Sequence, residues 1–253
     1  MNRLSSLAIA AMCVMAFGGA AYAQTASGPA DAAPSPTLHT CNYPFGSGSL
    51  VWCVSTEGNL VSMISPAGNQ NLNSNEGNNE GYVLCTPTGT YYGLGWGSGG
   101  FGAPTLVSLT AASVTIARTT TDGRYTLTQK FSRDTVERDV TLQMKLKNNG
   151  PAASNIYLAR FAEISVDNDF GDDRFDASVD SLWARDGRAF SASPRLGAVG
   201  HTSWIGDMGF ACDAVDPPAV PGGPGLAMFS NRFNVGTMGA GATKTVYLAY
   251  RSH

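Results

Sequence analysis

Side chains along residues 139–147, DVTLQMKLK, alternate strictly: Val140, Leu142, Met144 and Leu146 are apolar, and Thr141, Gln143, Lys145 and Lys147 are polar. A period of two marks a strand with one buried and one wet face. The next residues, NNGPAAS, supply Asn, Gly and Pro, which break strands and accept turn geometry. NIYLARFAEISV then resumes the alternation, with Ile156, Leu158, Ala162, Ile164 and Val166 on one face, interrupted only by Arg160. The two runs predict an antiparallel hairpin. Shorter runs at 50–55, 59–64, 113–119, 125–131, 226–229 and 243–251 predict further strands, the last tying the C-terminus into a sheet. Apolar residues at helical spacing are scarce beyond the first 23. Strands at short intervals without helices predict an all-β fold, an antiparallel β-sandwich.

The N-terminus reads differently. MNRLSSLAIAAMCVMAFGGAAYAQ has a basic start, an apolar run and small residues ending in Ala21-Tyr22-Ala23. That order predicts a secretory signal peptide over 1–23, too short in its apolar run to span a bilayer. TASGPADAAPSPT buries too little apolar surface to offset its ordering entropy, so 24–38 is expected to be a disordered leader. A single domain over 39–253 follows. The expected compartment is secreted, periplasmic or cell envelope, with no span in the mature chain.

Export changes the meaning of the cysteines. Cys13 leaves with the signal, and Cys41, Cys53, Cys85 and Cys212 remain. Four cysteines in an oxidising compartment imply two disulfides with three pairings. Cys41–Cys53 closing the turn NYPFGSGSLVW, with Cys85–Cys212 as a long-range staple, is the expected one. Zinc is disfavoured because no CxxC pair is present. The formal net charge of −3 and the scarcity of lysine give no footprint for nucleic acid.

Charge is concentrated in one place: ISVDNDFGDDRFD, residues 164–176, carries five aspartates and an arginine. Asp167, Asp169, Asp172 and Asp173 are candidate calcium ligands, because calcium takes six to eight oxygens from a flexible loop. The fit to a helical calcium loop is poor: Gly171 stands fifth and no glutamate closes at twelve. A plain turn is the competing account, since Asp bonds nearby backbone N–H groups. Calcium is thus the one cofactor considered. A carboxylate pair for glycoside chemistry would draw on Glu163 and Asp169, with His201 as the only histidine well inside the domain. No serine sits in G-x-S-x-G, and no phosphate-cradling loop is present.

The tract TGTYYGLGWGSGGFG, residues 88–102, intersperses rings with glycine in a run read as too flexible for a central strand. Tyr91, Tyr92 and Trp96 are candidates for stacking on sugar faces, with Trp183 and Arg185 in SLWARDG as a second platform. The competing account is that these rings pack on the sheet.

CVSTEGNLVSMISPAGNQNL (53–72) and VTLQMKLKNNGPAASNIYLARFAEIS (140–165) resemble segments of exported bacterial β-sandwich proteins. Their fold is similar to the galactose-mutarotase-like supersandwich. That resemblance implies a large two-sheet sandwich with a carbohydrate-facing concave side. The histidines and glutamate that serve true mutarotases have no counterpart motif around His39, His201 or His253, so no catalytic residue carries over. The reading is a β-sandwich that binds carbohydrate or cell-envelope polymer. A carbohydrate-active hydrolase, lyase or epimerase and a structural or adhesive envelope protein are the alternatives.

Overall fold

The computed structural model describes residues 40–47, 49–64, 70–73, 80–94, 97–134, 139–164, 166, 174–178, 181–186, 188–195, 200–206, 211–213 and 227–252. All lie within the unit Pro34–His253. The expected signal peptide and leader fall outside the described residues. Among those described, every named element is a strand, and the strands form three antiparallel sheets.

The first sheet follows chain order: β1 (Tyr43–Ser47), β2 (Leu50–Val54), β3 (Leu60–Ile64) and β4 (Gln70–Asn73). A six-stranded sheet contains, in chain order, β5 (Glu80–Thr86), β6 (Gly89–Leu94), β7 (Gly97–Gly99), β12 (Ala153–Ile164), β16 (His201–Ile205) and β17 (Ala227–Met238). Its spatial order is β16-β17-β12-β5-β6-β7. The eight-stranded sheet takes β8 (Thr105–Leu109), β9 (Ser113–Thr119), β10 (Tyr125–Asp134), β11 (Asp139–Asn148), β13 (Arg174–Ser178), β14 (Ser181–Asp186), β15 (Arg188–Arg195) and β18 (Thr243–Ser252). They are ordered β13-β14-β15-β18-β11-β10-β9-β8. One apolar core joins all three sheets, drawing Trp52 from the first, Leu84 and Leu158 from the second, and Val114 and Leu142 from the third. This is the antiparallel sandwich that the alternation predicts.

The expected hairpin is corrected. β11 pairs with β10 and β18, whereas β12 pairs with β5 and β17. NNGPAAS therefore arches from one sheet to the other. The buried Asn148 holds the arch: its amide donates to the carbonyls of Pro151 (2.7 Å), Met238 (3.2 Å) and Gly239 (3.1 Å). Asn149 ties it to the neighbouring turn, its amide N–H donating to Arg124 O at 2.7 Å. Two strands that turn their apolar sides toward one core carry the same alternation whether they lie side by side or face to face.

Arg160, the interruption in the β12 alternation, is the centre of the core. It is 0% exposed, and Glu80 beside it is 2% exposed. Its guanidinium donates Nε and Nη2 to the Glu80 carboxylate, Nη1 to Gln129 Oε1, and Nη2 to Gly58 O. The carboxylate also accepts the Tyr250 hydroxyl at 2.8 Å and the Leu60 N–H at 2.8 Å. The guanidinium lies over the rings of Tyr82 (5.5 Å) and Phe131 (5.3 Å). Gly58 follows β2, Leu60 opens β3, Glu80 and Arg160 come from the six-stranded sheet, and Gln129 and Tyr250 from the eight-stranded one. A single ion pair thus fastens the three sheets to one another. Burial pushes the Glu80 carboxyl up, opposed by Arg160 and by the hydroxyl and amide donors.

The same environment makes two phenols hard to ionise. Burial raises Tyr82 above the ordinary tyrosine range and Tyr250 well above it, with the Glu80 charge adding to the second. A folded value above the unfolded one means that the neutral phenol's contribution is complete below the ordinary tyrosine range. That contribution is lost as pH rises through the folded values. Alkaline titration followed by ultraviolet difference absorbance is therefore expected to show late tyrosines whose ionisation coincides with loss of the β circular dichroism signal. Their ionisation in a still-folded chain would contradict this account.

Candidate functional site

The face of the six-stranded sheet turned away from the main core carries most of the residues with chemistry to offer. Strand register builds it in rows. Thr202 on β16, Arg232 on β17, Ala159 on β12, Val83 on β5, Tyr92 on β6 and Gly99 on β7 lie across one line. Trp204, Ser230, Phe161 and Gly81 form the next row, and Met228 and Glu163 the one beyond. Asn234, Tyr157, Cys85 and Thr90 flank the first row on its other side.

A second apolar cluster sits on this face, made of Val83, Cys85, Leu94, Ala159, Phe161 and Ala211. Ala211 belongs to a short segment stitched to the sheet. Cys212 is bonded to Cys85 with a Cα–Cα distance of 5.3 Å, and Arg232 Nη1 donates to Asp213 O. Arg232 in turn lies over the Tyr157 ring at 5.3 Å. The second disulfide, Cys41–Cys53, closes the β1–β2 hairpin. Both expected pairings are present.

Tyr92 is 38% exposed, the one exposed aromatic among the residues whose side chains are described. Tyr91 is corrected: its side chain joins the main core, and its hydroxyl donates to Asp122 Oδ2 at 2.7 Å. Successive strand residues point to opposite faces, so only one of two adjacent tyrosines can face outward. Glu163 is half-buried and shares the face of Tyr92, about 16 Å away along and across the strands. His201 stands opposite Phe233, a main-core residue, with ring centroids 6.4 Å apart. It therefore belongs to the other face of the sheet from Glu163, and the two do not come together. Trp183 and Arg185 stand on β14, opposite Ser191 and Ala189 of β15, in the other large sheet from Tyr92. Trp96, Asp167, Asp169, Asp172 and Asp173 lie outside the described residues.

The glycine–aromatic tract proves to contain a fully paired strand, since β6 bonds to β5 on one side and β7 on the other. Its glycines are places for rings. Tyr82 stands directly opposite Gly93, and Tyr92 opposite Gly99. A Cβ at Gly93 would lie 2.5 Å from Tyr82 Cζ, and one at Gly99 2.5 Å from Tyr92 Cζ. Each ring covers the bare backbone of its partner, which compensates the weak strand propensity of glycine.

Sequence reasoning did not single out Glu80 as Arg160's partner, although NNEGYVLC places Glu80, Tyr82 and Leu84 at the same parity. A carboxylate in phase with core residues on one strand and a guanidinium in phase on another were the available signal.

No family model matches the chain, and no curated protein matches it. Solved structures do. A bacterial glucoamylase complexed with acarbose superposes with a TM-score of 0.63 at 11% identity, over 88% of this chain and 34% of that one. The chain thus spans about a third of the glucoamylase. A protein of Escherichia coli K12 assigned as an aldose 1-epimerase superposes with a TM-score of 0.54 at 11% identity, over 83% of this chain and 98% of that one. At such identity the likeness shows the fold. It agrees with the mutarotase-like sandwich implied by the resemblance of residues 53–72 and 140–165.

Proposed function

We propose that this protein binds carbohydrate on the outer face of its six-stranded sheet, outside the cytoplasm. The observation that carries the reading is Tyr92: an exposed ring seated on Gly99, on the same face as Thr202, Arg232, Tyr157 and Glu163. A ring held against a glycine backbone offers its free face to the apolar side of a sugar, and the exposed Thr90 hydroxyl, two residues along β6 on the same face, suits sugar oxygens. The fold shared with a glucoamylase and an assigned epimerase supports the ligand class by analogy. The two disulfides support an oxidising compartment. Trp96, between β6 and β7 in the sequence, is the second stacking candidate that the test includes.

Tryptophan fluorescence of the full mature chain is expected to respond to at least one member of a panel of neutral oligosaccharides. Tyr92→Ala is expected to weaken that response about tenfold with an unchanged melting temperature. A response untouched by both Tyr92→Ala and Trp96→Ala would remove this face from the proposal. Glu163→Gln, run alongside, separates binding from turnover: the enzyme reading requires product formation that this variant abolishes.

A further inference from the structure

The eight-stranded sheet also has a wet face, and on three adjacent strands that face has one character. Register aligns Thr126 on β10, Lys147 on β11 and Thr243 on β18 in one row, with Thr128, Lys145 and Thr245 in the next. Lys130, Gln143 and Tyr247 form the third. These rows contain no carboxylate and no large aliphatic side chain. Three of the four lysines in the sequence stand here, and all three are exposed. None forms an ion pair with a carboxylate among the described residues.

Strand geometry places Lys145 and Lys147 about 7 Å apart, and Lys130 about 8 Å from Lys145. Three unpaired cations at such spacing repel one another, in a chain whose formal net charge is −3. The nearest carboxylates further along the same face are Asp134 and Asp139, paired in one row about 13 Å beyond Lys130, and Arg251 neutralises Asp139 at 3.2 Å. The ground between the lysines is held in place. Thr119 and Thr126 share a hydroxyl hydrogen bond of 3.0 Å, Asn149 Nδ2 donates to Thr126 Oγ1 at 2.8 Å, and Gln143 Nε2 donates to the Tyr247 hydroxyl at 2.8 Å.

We propose that this face docks an anionic polysaccharide, a polymer of sugars carrying carboxylates along its length. One partner with repeated charge can meet all three lysines at once, and threonine and tyrosine hydroxyls suit the sugar hydroxyls between the charges. A lipid surface would need aliphatic side chains to enter the bilayer, and these rows have none. Nucleic acid would meet only three cations and one ring, on a chain that is acidic as a whole.

The face lies on the other sheet from Tyr92, so it stands apart from the neutral-sugar site proposed above. The full mature chain is titrated with polygalacturonate, with neutral dextran, double-stranded DNA and phosphatidylglycerol vesicles in parallel. Polygalacturonate is expected to bind at low salt and to weaken as salt rises, with a log–log slope of about 2. The triple change Lys130→Gln, Lys145→Gln, Lys147→Gln alters only exposed side chains and is expected to weaken binding at least ~10-fold at an unchanged melting temperature. The Arg versions of the same positions retain binding. The neutral-oligosaccharide response persists in the Gln variant, so the two proposals fail separately. No binding to polygalacturonate, equal binding by the Gln variant, or equal or tighter binding of DNA or vesicles overturns the inference.

Discussion

Glu80→Ala is expected to cost about 3–5 kcal/mol, because it leaves the Arg160 guanidinium buried without its counter-charge. The pair is among the most enclosed charges of the described residues, at 2% and 0% exposure, and the lost carboxylate is also the acceptor of the Tyr250 hydroxyl and the Leu60 N–H. For a domain of this length each kcal/mol moves the melting temperature by about 2–4 °C, so a fall of roughly 10 °C is expected. Where the single variant proves too unstable to purify, the double variant Glu80→Leu/Arg160→Met keeps the idea testable. Replacing both partners by apolar groups removes the uncompensated charge, and the double is expected to melt above the single. If both melt at the wild-type temperature, or the double melts below the single, the ion pair is not what fastens the sheets.

Removing Cys85–Cys212 ranks next. Its partners stand 127 residues apart, against 12 for Cys41–Cys53. Loop-closure entropy then assigns about 5 kcal/mol to the first and about 3 to the second. Cys85→Ser with Cys212→Ser is thus expected to lower denaturant stability more than Cys41→Ser with Cys53→Ser. It should act locally as well, because the bond holds Ala211 against Val83 and Phe161. Faster hydrogen exchange along β5 and β6, with β10 and β11 unaffected, is the expected signature. Equal losses from the two removals would show that the long staple closes less entropy than its span implies.

How far these features could be read from the chain depends on their range. The alternation of residues 139–147 identified the apolar side of β11 correctly, because side-chain direction along a strand is a local property. The runs at 113–119 and 243–251 became β9 and β18 for the same reason. The glycine-rich tract misled, since Gly93 and Gly99 look like breakers until Tyr82 and Tyr92 are found opposite them. Tyr91 misled in a smaller way, through a parity that its neighbour Tyr92 shares only in reverse.

The amino-acid pattern alone determined that the chain is built of strands and which side of each faces the core. Tertiary structure alone decided which strands lie side by side. It placed β11 and β12 in different sheets and brought Arg160 to Glu80, 80 residues away in sequence. The reason is physical. Alternation follows from the pleat of a single strand, whereas sheet order and a shared ion pair emerge only when distant segments close loops around one core.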